Sequence, residues 1–357
     1  MLKKLFVYST VLIASIPVLA QEMPEKEETK SFTISGFVDG YYRYDAGRNL
    51  SNNRTSFTNA HNSFELGMAS LKLEGTSGKV GFVADLGIGK RAQEFAYNDA
   101  GILQGIKQLY ATYAPAEWLK FTMGSWATHV GYELVDAPAN RNYSMSYLFS
   151  WGPFSHTGIK ADITTGKSGF MLGLANPTDY RTAPVNSRKF LLAQYSLAAS
   201  ENVKIYLNYV GGQRADSVKI RQFDAVLTAK LSDKFNIGYN ATYQHTKTVT
   251  DDAIKSDKAA EGWWGSALYL NLDASEKTGF TLRSEIFSDK KQLVAMAYAP
   301  VGASIFANTL SCNLKAGPLT IIPEIRLETS GQNVFVNKKG GSTSSSSSAL
   351  VAVVYSF

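Results

Sequence analysis

Four histidines and one cysteine are the residues of this chain whose chemistry could support metal binding or nucleophilic catalysis. His61, His129, His156 and His245 lie in separate segments, and no two of them have the i, i+4 spacing that places two ligands on one helix face. The single cysteine, Cys312, excludes an internal disulfide framework, a cysteine zinc cluster and a lipidated N-terminal cysteine. Because the spacing does not bring ligands together, the sequence predicts no metal site.

Catalytic motifs are also missing from the sequence. The chain has no G-x-S-x-G motif, and Gly87-Ile88-Gly89-Lys90 lacks the rest of a phosphate-binding loop. The 36 basic and 30 acidic residues form no long run of like charge, which disfavours a nucleic-acid-binding arm. We therefore predict no enzyme, no cofactor and no nucleic-acid partner. A less favoured alternative is a barrel enzyme of the envelope, which would need a nucleophile and a base near the outer rim.

The elements that position the side chains are predicted to be strands. Apolar and polar residues alternate through most of the chain, and the clearest case is 235–244, where aromatic and aliphatic residues interleave with amides, hydroxyls and glycine. Such segments are about ten residues long, the length of a tilted strand that crosses a bilayer. After the first 20 residues no stretch approaches the length of an apolar membrane helix.

Short and long connections alternate between these segments, and both ends of the chain fall on the side of the short turns. Seven short turns and eight long loops require sixteen strands, which predicts an all-β fold: a transmembrane antiparallel up-and-down β-barrel of about sixteen strands. Two strands, 262–273 and 303–315, alternate poorly. The predicted strands are 32–44, 63–75, 79–89, 105–114, 118–126, 155–165, 169–176, 188–199, 203–210, 220–231, 235–245, 262–273, 279–287, 303–315, 319–329 and 347–357.

Both termini carry targeting information. Residues 1–20 have two lysines, an apolar run and small residues at the end, which predicts a cleaved signal peptide. We expect 21–31 to be a short disordered periplasmic lead-in and 32–357 to be a single barrel domain. Tyr355 and Phe357 end the chain on an aromatic strand, the pattern of the insertion signal that the barrel-assembly machinery reads. These features predict a barrel in the lipid of a bacterial outer membrane and disfavour a soluble all-β protein.

Specific motifs cluster between residues 107 and 174. A Q-x-Y-x-x-Y strand begins at Gln108, and the motifs G-Y-E (from Gly131), N-Y-S (from Asn142) and H-T-G (from His156) follow in that order. This stretch resembles a family of beta-barrel porins described as outer-membrane porin L-like, which is common in Bacteroidetes. The resemblance implies an outer-membrane pore and says little about its solute.

A barrel of about sixteen strands is wide enough to hold an aqueous channel. The alternation predicts charges of both signs on the inner wall, which suits small hydrophilic solutes without strong ion selectivity. An alternative role for each charge is to tie neighbouring strands together. The predicted pore-lining residues are Arg43, Lys72, Asp85, Lys120, Lys160, Asp162, Lys204, Asp224, Arg283, Glu285, Glu324, Arg326 and Glu328.

Segment 127–153, which follows the fifth predicted strand, is the best candidate for a constriction. It is rich in aromatic residues, which are costly to expose on a solvated loop, so we expect it to pack against the inner wall. The alternative is an outward lid over the mouth. The predicted constriction residues are Tyr132, Glu133, Asp136, Arg141 and Tyr143.

Together these patterns predict a porin for the passive diffusion of small hydrophilic solutes. A surface adhesin with little conductance remains an alternative, and sugar stacking on Trp126 or Tyr206 would make the channel selective for saccharides. Porins of this size are often homotrimers, but no distinct interface is visible in the sequence.

Overall fold

A closed barrel of sixteen antiparallel strands makes up the structure. The computed structural model describes residues 30–215, 217–248 and 261–357. Each strand pairs with the next along the chain, and the last strand pairs with the first, so the sheet has no free edge. The predicted fold class and strand number are confirmed.

The barrel consists of fifteen consecutive strands and the strand that ends the chain. A two-stranded hairpin, β16 (Phe335–Val336) with β17 (Ser342–Thr343), lies in the last long loop. The barrel strands are β1 (Lys30–Asp45), β2 (Ser63–Ser77), β3 (Val80–Ile88), β4 (Ile106–Ala116), β5 (Leu119–Ala127), β6 (Ser155–Thr165), β7 (Ser168–Ala175), β8 (Phe190–Ala198), β9 (Val203–Gln213), β10 (Val218–Lys230), β11 (Phe235–Thr248), β12 (Glu261–Ser275), β13 (Thr278–Asp289), β14 (Ala303–Ala316), β15 (Leu319–Ser330) and β18 (Ser345–Ser356).

The predicted strand boundaries differ from these by three residues at most. One difference falls at the N-terminus, where Lys30 and Ser31 belong to β1 rather than to the lead-in, because they pair with Ser77 and Thr76. The predicted signal peptide 1–20 and residues 21–29 of the lead-in lie outside the described residues, as does most of the predicted loop 246–261.

The two faces of the wall differ in the way that the alternation predicts. On β10, Phe223 is half exposed on the outer face, whereas its neighbour Asp224 is buried on the inner face. On β18, Val351, Val353 and Tyr355 are exposed on the outer face. Exposed apolar side chains all around the wall give the barrel the surface that a lipid bilayer solvates.

Among the described residues, the short helices all lie in the long loops. They are α1 (Lys90–Phe95), α2 (Tyr147–Trp151) and the 3-10 helices Leu50–Asn52, Gly101–Gly105 and Ala137–Ala139. Within the described parts of the chain, no helix has the length and apolar character needed to cross a membrane.

The barrel interior contains an apolar core, which explains the two strands that alternate poorly. Trp263 and Tyr269 on β12 and Ile305 on β14 are buried on the inner face and pack with Tyr147 of α2 and Met296. Both faces of these strands are apolar because one faces outward to the exposed surface and the other packs against a loop inside the barrel.

Candidate functional site in the barrel interior

Segment 127–153 leaves β5 and runs along the inner wall. Gly131 has a φ of 95°, a conformation that favours glycine, and its amide donates a hydrogen bond to Asp224 of β10 at 3.0 Å. Tyr132 then stacks on Tyr269 of β12, with ring centroids 4.2 Å apart. Because Asp224 and Tyr269 both lie on the inner face, these contacts place the start of the segment inside the barrel.

A buried row of alternating charges holds the middle of the segment. Glu133 of the segment accepts a hydrogen bond from Arg283 of β13 at 2.7 Å. Arg283 also pairs with Glu285 at 3.3 Å, and Glu285 pairs with Arg326 of β15 at 3.1 Å. Arg326 pairs in turn with Glu328 at 3.1 Å. All five residues are at least nine-tenths buried, so each charge depends on its neighbours in the row for compensation.

The wall residues of this row and the neighbouring Glu324 also bind the segment directly. The amide of Tyr147 donates to Glu285 at 2.8 Å, and the Tyr147 hydroxyl donates to Glu328 at 2.8 Å. The carboxylate of Glu324 accepts a hydrogen bond from the amide of Tyr143 at 2.9 Å. Arg326 donates to the carbonyl oxygen of Met145 at 3.0 Å. The wall charges therefore satisfy backbone groups that would otherwise be buried without partners.

Five predicted pore-lining residues thus lie beneath the segment. Their contacts favour the alternative role given above, in which inward charges hold parts of the structure together and do not line a passage. We call this set the covered wall. The covered wall comprises Arg283, Glu285, Glu324, Arg326 and Glu328.

Two ion pairs attach the tip of the segment to opposite sides of the barrel. Asp136 pairs with Lys107 of β4 at 2.6 Å, and Arg141 forms a bidentate pair with Asp273 of β12 at 2.9 and 2.8 Å. In a ring of sixteen strands, β4 and β12 are eight strands apart in either direction. The six residues from 136 to 141 therefore reach across the interior.

The five predicted constriction residues fall into two groups. Glu133 and Tyr143 are buried, so neither meets water in a passage: Glu133 pairs with Arg283, and Tyr143 lies under the guanidinium of Arg91 at 4.6 Å. The segment folds inward and packs these two side chains against the wall, so water is excluded from both. The side chains of Asp136 and Arg141 are about one-third exposed, and Tyr132 is half-buried.

A second part of the inner wall remains wholly or partly exposed. Lys72 pairs with Glu74 at 2.8 Å, and Lys160 pairs with Asp162 at 3.0 Å. Some of these side chains border a cavity of about 450 Å³ between β1 and β6 that Tyr110 and Trp126 also line. We call the predicted lining residues that remain wholly or partly exposed the open wall. The open wall comprises Lys72, Lys120, Lys160, Asp162 and Lys204.

The remaining three predicted lining residues are buried in local polar contacts. Arg43 pairs with Asp45 at 3.5 Å, and Asp85 pairs with Lys107 at 3.0 Å. Asp224 accepts hydrogen bonds from two asparagine side chains in addition to the Gly131 amide. These three residues stabilise the wall itself, and they belong to neither the covered wall nor the open wall.

Sequence reasoning missed several residues that position the segment. Arg91 on α1 is fully buried and pairs with Asp39 of β1 at 3.8 Å. Lys107 on β4 lies beside a register shift in the pairing with β3, which places it inward although the simple alternation predicts otherwise. Asp273 lies at a position that the alternation predicts to face inward. Its pairing with Arg141 depends on the path of the segment inside the barrel, which the alternation does not predict.

The histidines lie close together only in one pair. The rings of His129 and His156 are 5.2 Å apart; His156 is fully buried and pairs across the strands with Trp126, and His129 is half-buried. Burial lowers the pKa of His129 to about 4, so the ring is neutral at pH 7. Over residues 30–215, 217–248 and 261–357, no group of three potential ligands is arranged to hold a metal ion.

Comparison with solved structures shows the fold of porins. An anion-selective porin from Comamonas acidovorans matches with a TM-score of 0.61 and 10% identity, covering 92% of this chain and 100% of the other. The in-vitro folded OmpT of Vibrio cholerae, in its trimer form, matches with a TM-score of 0.58 and 7% identity, covering 92% and 99%. A porin refined at 1.8 Å resolution matches with a TM-score of 0.55 and 11% identity, covering 92% and 100%. At these identities the likeness establishes the fold alone.

The family comparison covers nearly the whole described barrel. No curated protein matches the sequence. A family model described as "Putative beta-barrel porin-2, OmpL-like" matches residues 31–357, in agreement with the resemblance seen in the G-Y-E, N-Y-S and H-T-G motifs. The chain therefore belongs to this family of outer-membrane beta-barrel porins.

Proposed function

We propose that the protein is a porin through which small hydrophilic solutes diffuse passively, and that segment 127–153 narrows the passage. The observation that carries this proposal is the pair of attachments at opposite walls, Asp136 to Lys107 and Arg141 to Asp273. Because the segment is attached to β4 and to β12, a water-filled passage can run only between the segment and the part of the wall that it does not cover. No reaction or cofactor is part of the proposal.

The open wall supports this reading through its chemistry. Its charged groups are partly exposed, and between them lie hydroxyl and amide side chains such as Thr112, Thr122 and Gln108. A hydrated solute can exchange hydrogen bonds with such a wall without binding tightly, which is the condition for fast passage. The solute gradient then supplies the driving force, and the width beside the segment sets the size limit.

The porin reading is tested by swelling of liposomes that contain the purified protein. We expect swelling rates that fall with the size of the sugar, from pentoses to trisaccharides. A rate equal to that of protein-free liposomes for every sugar would refute the porin reading and leave the adhesin or enzyme alternatives. Rates that are equal for all sizes would refute a narrow passage.

The position of the segment is tested by chemical cross-linking across the Arg141–Asp273 contact. In a Cys312→Ser background, Arg141→Cys with Asp273→Cys should be joined by a short bifunctional thiol reagent in the folded, membrane-inserted protein. The reagent replaces the length of the arginine side chain, whose terminal nitrogens contact Asp273; a direct disulfide would need the two backbones to lie much closer. Arg141→Cys with Lys204→Cys, on a strand that Arg141 does not contact, is the matched control and should not be cross-linked. Absence of a cross-link in the first pair, or equal cross-linking of both pairs, would contradict the proposed path.

The role of the segment as a constriction is tested by single-channel conductance. Deleting residues 133–146 should raise the conductance, but it also removes partners of the covered wall, because Arg283 would lose Glu133 and Glu324 would lose the Tyr143 amide. Asp136→Asn combined with Arg141→Gln releases the tip and leaves that wall intact. We expect a larger and noisier conductance, whereas Lys277→Gln in a short turn should leave it unchanged. An unchanged conductance in the double variant would reject the constriction.

Export and assembly complete the proposal. The signal peptide 1–20 directs export, and Tyr355 and Phe357 present the insertion signal to the barrel-assembly machinery; Phe357 also pairs with Gly36 where the barrel closes. Deleting Phe357 should reduce the folded protein in outer membranes, measured by heat-modifiable mobility on gels, and an undiminished yield would contradict that role. A homotrimer is the proposed assembly, to be measured by light scattering in detergent.

A further inference from the structure

We infer that the pore favours anions, so that small hydrophilic solutes with negative charge pass faster than cations of the same size. This inference rests on the proposed porin function and names its solute class. Its basis is the set of inner-wall charges that remain unpaired near the short turns.

The inner-wall carboxylates in the half of the barrel near the short turns are already paired with cations. Glu74 lies 2.8 Å from Lys72, and Asp162 lies 3.0 Å from Lys160. Asp273 takes both terminal nitrogens of Arg141. Each pair presents little net charge to a passing ion, because the opposite charges are in contact.

Three lysines of the same half have no such compensation. Lys120 is the second residue of β5, Lys204 is the second residue of β9, and Lys315 is the last but one of β14. Each occupies an inward position of its strand and is exposed, and none forms a contact ion pair among the described residues. Lys315 also acts on Asp273, but both oxygens of that carboxylate are already bound by Arg141. Lys230 at the end of β10 pairs with Asp233, but both side chains are more than half exposed, so the pair is weak.

The turns beside these lysines add no net charge that would cancel them. The short turns carry equal numbers of cationic and anionic side chains. The charged residues of the short turns are Lys79, Lys167, Lys234, Lys277, Glu117, Glu201, Asp233 and Glu276. The surplus at this mouth is therefore the positive charge of the inner-wall lysines.

The lysines also surround the mouth, since β5, β9 and β14 are spread around the barrel. A mouth lined by one sign of charge and enclosed by a low-dielectric wall raises the local concentration of the opposite ion. The effect reaches about 10 Å in 0.1 M salt and about 3 Å in 1 M salt. Preference for anions should therefore be clear in dilute salt and weaker in concentrated salt.

The zero-current potential across a planar bilayer with a tenfold KCl gradient tests the inference. For the native protein we expect a chloride-to-potassium permeability ratio above one that falls towards one as the salt concentration rises. The triple variant Lys120→Gln, Lys204→Gln, Lys315→Gln should reduce the ratio at least twofold in dilute salt. Lys120→Gln alone should give a smaller change in the same direction.

The matched control removes the same number of charges from exposed lysines of the long connections at the other end of the barrel, with Lys290→Gln, Lys338→Gln and Lys339→Gln, and should leave the ratio nearly unchanged. A native ratio at or below one would overturn the inference while leaving the porin function intact. Equal changes in the two triple variants would also overturn it, because net charge rather than the inner-wall lysines would then set the ratio. Absence of any conductance would instead refute the proposed function itself.

Discussion

The covered wall and the open wall are built from the same residue types in the same alternation, yet they differ in what surrounds them. Arg283 and Glu285 on the covered wall are almost wholly buried beneath segment 127–153, whereas Lys160 and Asp162 on the open wall keep about a fifth to a quarter of their side-chain surface exposed. A buried ion pair needs both of its partners, because removing one leaves the other charge with neither water nor a counter-charge to stabilise it. Exposure leaves the charges free to act on solutes.

The largest expected effect that separates the two walls is on stability. Arg283→Met leaves Glu133 and Glu285 buried without their shared cation, so we expect a loss of about 3–5 kcal/mol in the free energy of unfolding. Lys160→Met removes the partly exposed partner of Asp162 and should cost about 0–1 kcal/mol. Denaturant unfolding in detergent, followed by tryptophan fluorescence, measures both. Similar losses for the two variants would remove the basis for separating the walls.

The sequence was sufficient to predict the barrel because lipid and strand pairing impose a local rule. Every lipid-facing position must be apolar and every strand must cross one bilayer, so alternation and turn length predict all sixteen strands. The same rule identifies which residues face inward. The strand at 262–273 breaks the rule for a physical reason: Trp263 packs on the core that the segment forms inside the barrel.

What the sequence could not supply is the environment of each inward residue. Alternation assigns Glu324 and Lys204 to the same face, but only the path of a loop distant in sequence decides that Glu324 accepts the amide of Tyr143 while Lys204 stays exposed. The partner of Arg141 is 132 residues away along the chain. Burial and pairing in a barrel interior are long-range properties, so neither composition nor spacing predicts them.

Acid should weaken the attachment of the segment near β9 more than it affects the open wall. His129 lies beside Tyr209, and its neighbours include His156, Lys160 and Asp162. Its folded pKa is lowered to about 4 from 6.5, so the stability that it contributes is present above pH 6.5 and is lost as the pH falls from there towards 4. The loss by pH 4 is about 3 kcal/mol.

Hydrogen exchange of the amides in residues 128–132 at pH 7 and pH 4.5, corrected for the intrinsic rate, measures this effect. The variant His129→Gln cannot gain the charge and should show a smaller pH dependence. If native and variant proteins respond to acid alike, then His129 is not the group responsible.

Removing a single tyrosine hydroxyl should change the free energy of unfolding by a smaller amount, and by different amounts in the covered and open regions. Tyr147→Phe leaves Glu328 without the donor at 2.8 Å, which should cost about 1–3 kcal/mol because the carboxylate is buried. Tyr110→Phe on the water-facing side removes a hydroxyl that borders the cavity between β1 and β6 and should cost less than about 0.5 kcal/mol. Denaturant unfolding under identical conditions compares the two. A larger loss for Tyr110→Phe would reverse the assignment of covered and open regions.

The smallest effect is expected for the pair Lys72–Glu74, whose side chains are 31% and 43% exposed. Water already solvates both groups, so replacing both by glutamine should change the free energy of unfolding by less than about 1 kcal/mol. The same double variant should leave the permeability ratio of the channel nearly unchanged, since it removes one charge of each sign. Denaturant unfolding and zero-current potentials give the two readings. A loss above about 2 kcal/mol would mean that this pair is as shielded from water as the covered wall, and no water-filled side of the barrel would then remain for solutes to use.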